Sequence, residues 1–288
     1  MIQQHTIKHV VSCFGIGIHS GRPTSISLYP AAPNTGITFI RTDIKDLENK
    51  IHANYSAVSK TNCGTTIKNT EGLEVATVEH LMAAFWGCKI DNVIVEVDGP
   101  EIPSMDGSAE PFVFMIECAG VQAQEEHRKY LEVLKEISVE DGETKITISP
   151  NEYFHVDMQI KYNSDLINIQ KYSFSERKKS FKHEVARART FGFKQEEEAL
   201  RNAGLAKGAS LDNVIVINDE KILNSDGLRY KDEFVRHKLL DLIGDFYLTG
   251  ASIKGAVTAF KPGHKINNKA ICTLLADKSA YRFVENKY

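Results

Sequence analysis

The sequence predicts an α+β protein of two domains with its site at their interface. Three observations carry that expectation. Both halves of the 288-residue chain mix β-prone runs with one or two helical patterns. The length exceeds the usual ceiling for one small domain. Residues 122–129 are polar and charged and make the best linker candidate, which divides the chain into domains at 1–125 and 126–288.

Taken in order, residues 6–12 and 24–29 alternate as strands, and Pro30 closes the second. Gly15-Ile-Gly-Ile-His-Ser-Gly21 between them has the glycines of a phosphate loop. A dinucleotide fingerprint must open a helix, however, and here Pro23 and a β-rich run follow. A looped strand connection is the better reading, with His19 structural or at the mouth of a site. Further β-prone pieces are expected at 36–41 and 63–67. Residues 76–86 read as a helix capped by Thr77 and stopped by Gly87. A strand at 90–97, a turn-dense loop at 99–107 and a helix from Pro111 to a stop at Gly120 complete the first half. The second half opens with strands at 130–139, 144–148 and 154–162. A mixed region at 187–193, a helical stretch at 195–202, a loop at 204–210 and a strand at 211–217 follow. The chain ends with a helix at 232–247, a strand at 255–260, a loop at 261–265 and a helix at 267–276.

Composition narrows the function. Hydrophobic residues at 42% and charged residues at 25% describe an ordinary globular protein. A net charge of -3 argues against nucleic-acid binding, which calls for a basic field. No apolar run is long enough to span a bilayer, and the opening residues lack a signal peptide's apolar region. The five cysteines are scattered, without CxxC spacing, as expected of free thiols in a reducing cytoplasm. Neither stable membrane insertion nor an obligate protein partner is expected.

The helix at 232–247 carries the chemistry. Its apolar residues recur at helical spacing, Asp232 and Glu233 suit its positive end, and Gly250 lies just beyond it. His237 and Asp241, four residues apart, leave one face a turn apart, and Asp245 extends the line. An imidazole and a carboxylate at this spacing can bind one divalent ion, although such a pair alone is more often a surface hydrogen bond. A third ligand is found in Glu79-His80. Adjacent helical residues point about 100° apart, so one can bind metal while the other faces the attacking water as a base. His80, His237, Asp241 and a free Glu79 then form a hydrolytic metal site with an open position.

Five motifs extend this reading: Thr77-Val-Glu-His-Leu81, Glu101-Ile-Pro-Ser-Met-Asp-Gly-Ser108, Ala188-Arg-Thr-Phe-Gly-Phe193, Phe234-Val-Arg-His-Lys-Leu-Leu-Asp241 and Gly263-His-Lys-Ile-Asn-Asn268. In this order the chain resembles the UDP-3-O-acyl-N-acetylglucosamine deacetylases of lipid A biosynthesis, from Gly15 nearly to the C-terminus. The resemblance implies two α+β sandwich domains, each with an inserted subregion, one of which guides the substrate's acyl chain past residues 193–217. It implies hydrolysis of the N-acetyl group of a UDP-linked acylated amino sugar, with one zinc ion per chain and iron as the alternative cellular metal.

By the same resemblance His80, His237 and Asp241 are the zinc ligands and Glu79 the general base. Thr190 stands beside the oxyanion or the attacking water. His264 is the cationic partner that stabilises the tetrahedral intermediate and protonates the departing amine, and Asp245 orients and charges it. Lys238 lies near the diphosphate, Phe191 in the sugar pocket, Cys63 near the metal and Tyr162 beside the uracil. The chemistry agrees, because an acetamide is a poor electrophile and its hydrolysis needs both an activated water and a stabilised oxyanion. Two alternatives stay open: a metal-free sugar-nucleotide or lipid-binding module, and a metal-dependent deacetylase of another N-acyl sugar. Acyl-chain length, oligomeric state and any second diphosphate lysine are also open.

Overall fold

The computed structural model describes residues 2–45, 48–219 and 221–285, and two sheets organise them. The smaller has five strands in the spatial order Val11–Ile16, Pro23–Pro30, Val93–Val97, Ile37–Arg41 and Lys50–His52. Val93–Val97 runs antiparallel to Pro23–Pro30 and parallel to Ile37–Arg41. Ile26 and Leu28, and Val93, Val95 and Val97, are buried at alternate positions, the period of a sheet with one face on the core. The larger sheet is centred on Ser252–Phe260. That strand pairs antiparallel with Thr144–Pro150 and parallel with both His155–Lys161 and Lys129–Val133. Ile137–Asp141, Ile169–Ser175 and Tyr281–Glu285 complete its seven strands.

Six helices are described: α1 (Glu79–Cys88), α2 (Glu110–Ala119), α3 (Phe181–Glu184), α4 (Glu197–Asn202), α5 (Glu233–Tyr247) and α6 (His264–Ala276). α1 is buried at all but two of its positions, because a helix that is apolar nearly all round has no solvent face and must lie between other elements. Those elements are α2 and α5, and α5 in turn packs on α6 and on the large sheet. The crossing of α1 and α5 is unusually close. A Cβ at Gly244 would stand 2.0 Å from the carbonyl oxygen of Glu79, so only glycine lets the two helices meet there. Apart from Ala188 and Val214, the buried apolar residues form one connected cluster from Ile7 to Ala280.

Two small three-stranded sheets stand apart from the main ones. Val58–Lys60, Thr66–Lys68 and Glu74–Val75 form the first, and Phe191–Phe193, Ile215–Asn218 and Lys221–Ile222 the second. The architecture is α+β, as the sequence predicts. No helix among the described residues is long and apolar enough to cross a membrane.

Several local expectations are corrected. Residues 122–129 are not a free linker: Val121–His127 is a strand paired antiparallel with Gln3–Ile7, and Arg128 is buried with its guanidinium 2.6 Å from Asp91. That strand is exposed at most positions, so it lacks the apolar alternation that would have revealed it. Thr77 does not cap α1. Its φ is 59° and its hydroxyl donates to Glu101 Oε1 at 3.0 Å, while Val78 occupies the cap without a side-chain bond. Gly87 does not stop α1 either. Lys89 does so at φ 59°, and Gly87 makes room for Phe181, whose Cδ1 would lie 2.1 Å from a Cβ there. The run at 130–139 is two strands, and the strand at 211–217 begins only at Ile215. His264 is the first residue of α6 and not part of a loop.

Candidate active site

His237 and Asp241 leave α5 one turn apart, and the close approach at Gly244 sets the start of α1, with Glu79 and His80, against them. His80, His237 and Asp241 are all buried, and one ligand atom from each lies within 4.8 Å of the others. Asp241 Oδ1 is 3.4 Å from His80 Nε2 and 3.3 Å from His237 Nε2. The two imidazoles meet edge to face with centroids 5.0 Å apart. His237 Nδ1 donates to the Ala188 carbonyl at 3.0 Å, which fixes the tautomer and turns an Nε2 lone pair toward the group. Burial pushes His237 down to about 3 against the pull of Asp241, so its imidazole is neutral, as a metal ligand must be.

Asp241 tests whether a cation fits. Its Oδ2 accepts from Lys238 Nζ at 2.7 Å, whereas its Oδ1 is buried without a hydrogen-bond partner. Burial alone would raise the Asp241 carboxyl, but His237 and Lys238 outweigh it and hold the group well below the usual carboxylate range. A charged, buried oxygen without a donor is costly. A divalent ion between that oxygen and two imidazole nitrogens would satisfy it, and two nitrogens with one carboxylate oxygen suit a borderline ion such as zinc.

Beside this group lies a second cluster. His264 Nδ1 donates to Asp245 Oδ2 at 2.8 Å, and Asn267 Nδ2 donates to the same oxygen at 2.8 Å. The Thr65 hydroxyl donates to Asp245 Oδ1 at 2.6 Å, and the Thr65 N–H donates to Glu79 Oε2 at 3.0 Å. Glu79 Oε1 faces His264 Nε2 at 3.7 Å. Burial disfavours the charged form of His264, but the charges of Asp245 and Glu79 outweigh it and push the imidazole up to about 9. Burial also pushes the Glu79 carboxyl above its ordinary range, with His264 and His80 opposing.

Both clusters open on a cavity of about 770 Å³. Glu79, His80, His237, Asp241, His264, Thr190, Phe191, Lys238, Cys63 and Tyr162 all line it, while Asp245 stands behind His264. Tyr162 packs edge to face on Phe191 at 5.6 Å, and Phe191 on Phe234 at 4.9 Å, a continuous aromatic wall below Lys238. The carbonyl of Cys63 takes a hydrogen bond from His19 Nε2 at 2.9 Å, and burial pushes the Cys63 thiol up. Lys145 is paired with Glu140 at 2.7 Å and does not line the cavity, although its neighbour Thr144 does. The wall carries Lys261 and Lys265, two cations close to His264 in sequence that the sequence reading passed over, paired with Glu143 and Asp141 respectively. Thr65, Asn267 and Gly244 were also missed. Each acts through a contact between segments distant in the chain, which no local pattern encodes.

Comparison with known proteins identifies the family. Residues 4–276 match the family described as LpxC, UDP-3-O-acyl N-acetylglycosamine deacetylase. Over 286 residues, 99% of this chain and 93% of the relative's length, the sequence is 43% identical to a UDP-3-O-acyl-N-acetylglucosamine deacetylase of Haemophilus influenzae. Proteins of the same name from Histophilus somni and Pasteurella multocida are each 44% identical over the same shares. The chain belongs to the UDP-3-O-acyl-N-acetylglucosamine deacetylase family.

Proposed function

We propose that this chain performs its family's reaction, hydrolysing the N-acetyl group of UDP-3-O-acyl-N-acetylglucosamine to acetate and the free amine in lipid A biosynthesis, with zinc held by His80, His237 and Asp241. One observation carries the reading: a buried His-His-Asp group with an unsatisfied carboxylate oxygen shares a cavity with a separate buried glutamate and a histidine pushed towards its charged form. Zinc bound there supplies Lewis acidity, lowering a water's pKa from about 15.7 towards roughly 7 and polarising the acetyl carbonyl.

The protein's own groups supply the rest. Glu79, its carboxyl raised by burial, takes the proton of the water as that water attacks the acetyl carbon. His264 Nε2, charged while Asp245 accepts from Nδ1, donates to the developing oxyanion and then gives its proton to the leaving amine. The Thr190 hydroxyl, on the same wall, adds a donor to the oxyanion. Lys238, Lys261 and Lys265 offer positive charge to the diphosphate, and the Phe191–Tyr162 wall offers ring faces to sugar and base. The apolar side chains of Leu200, Leu211, Val214, Val216 and Leu223 suit the acyl chain. Five free thiols support residence in a reducing cytoplasm, and the division at 1–125 and 126–288 belongs to the same reading.

Acetate release from UDP-3-O-acyl-N-acetylglucosamine is the test. The reaction should cease on exhaustive chelation and return with about one equivalent of zinc per chain. Undiminished hydrolysis without metal contradicts the zinc assignment. Binding of the sugar nucleotide without hydrolysis in the zinc-loaded protein favours the binding module.

A further inference from the structure

Thr65 touches both halves of the proposed acid–base machinery without reaching the cavity. It is 2% exposed and does not contribute to the cavity wall. Its main chain is tied twice to the start of α1: the N–H donates to Glu79 Oε2 at 3.0 Å, and the carbonyl accepts from Val78 N–H at 3.2 Å. Its hydroxyl crosses to α5 and donates to Asp245 Oδ1 at 2.6 Å, in the short range of hydrogen bonds to carboxylates. Asp245 Oδ2 is taken by His264 and Asn267, so Thr65 is the described donor on the remaining oxygen.

We infer that Thr65 is a positioning residue for the hydrolysis, holding Glu79 and the Asp245–His264 pair in one fixed geometry through its N–H and its hydroxyl. This rests on the proposed roles of Glu79 and His264. The physical case is one of buried donors. Asp245 is 2% exposed, so removing the hydroxyl leaves Oδ1 without a donor and out of reach of bulk water. The carboxylate is then held through Oδ2 alone, by His264 and Asn267, and can pivot about that oxygen and shift His264 Nδ1 with it. That movement re-aims Nε2, which stands 3.7 Å from Glu79 Oε1 on the cavity wall. Orienting partners of this kind typically contribute about 10- to 100-fold to activity.

The experiment compares Thr65→Val, Thr65→Ser and Asp245→Asn in the zinc-loaded enzyme, with kcat, KM, metal content and Tm measured for each. Valine keeps the branched shape and the N–H but removes the hydroxyl. Thr65→Val should lower kcat about 10- to 100-fold with KM and zinc content unchanged, and Thr65→Ser should recover most of the loss. Thr65→Val added to Asp245→Asn should cost little more than Asp245→Asn alone. If Thr65→Val does not fold, Thr65→Ala removes the same hydroxyl and adds no bulk. Equal kcat for the valine and serine variants overturns the inference, as does a rise in KM with kcat intact. A fully active Asp245→Asn variant points instead to failure of the His264–Asp245 reading. A slow Asp245→Asn beside a fast Thr65→Val leaves that reading standing and removes only the role of Thr65.

Discussion

Two histidine–aspartate pairs lie within a few ångströms of each other in this protein and stand in opposite protonation states. In the first, His237 is buried 3.3 Å from Asp241, donates a hydrogen bond from Nδ1–H to the Ala188 carbonyl and is pushed by burial down to about 3. In the second, His264 is almost as buried, yet its Nδ1 meets Asp245 directly at 2.8 Å and the imidazole is pushed up to about 9. Burial opposes charge in both, so it does not explain the difference. The surrounding charges do: Asp245 and Glu79 both raise His264, whereas the pull of Asp241 on His237 is opposed by His80 and Lys238. A neutral carbonyl holds His237 as a lone-pair donor, while a carboxylate holds His264 as a proton donor. Asp241 spends one oxygen on Lys238 and leaves the other unpartnered, whereas Asp245 has both oxygens occupied by hydrogen-bond donors. The first pair leaves a place that a cation could fill, and the second is already complete.

Glu79 lies between the pairs and gives the largest expected effect. Glu79→Gln keeps the side-chain shape and removes only the proton acceptor. It should retain zinc and fold while kcat falls about 10²- to 10⁴-fold. Loss of zinc in that variant, read by elemental analysis, would make Glu79 a member of the first pair's ligand set and blur the contrast.

A smaller effect is expected at Asp245. Its charge favours the imidazolium of His264, so the group remains charged until the pH approaches about 9. Asp245→Asn removes that charge and lowers the pKa of His264, so the charged form is lost at lower pH. The alkaline limb of kcat/KM should therefore move to lower pH, with a plateau reduced about 10- to 100-fold and zinc content unchanged. Ionisation of a water in the same site contributes to that limb, which belongs to the coupled site as a whole. An alkaline limb that stays in place while the plateau falls would reduce Asp245 to a packing role.

How much of this was legible in the sequence follows from the range of each interaction. The His237–Asp241–Asp245 line was readable because helical geometry sets which face a side chain leaves by. The pairing of Glu79 with His80 was readable in part, since adjacent helical residues must diverge, but their meeting with α5 was not. It depends on Gly244, whose need for a missing Cβ arises only where another helix crosses. Pro262-Gly263 looked like a loop around His264. Here they stand directly before α6, with Gly263 as its cap, and the helix opens on His264 itself. The supposed linker at 122–129 was polar because its strand pairs at the surface with Gln3–Ile7, where hydrogen bonds and not apolar burial hold it.

The most direct measurement is the zinc content of three purified proteins, the wild type, His237→Ala and His264→Ala, by elemental analysis after dialysis against metal-free buffer. If one histidine is a neutral ligand and the other a charged proton donor, the wild type and His264→Ala should each carry about one zinc per chain and His237→Ala almost none, although both variants should be inactive. Zinc retained by His237→Ala, or lost from His264→Ala, would contradict the division of labour between the two pairs.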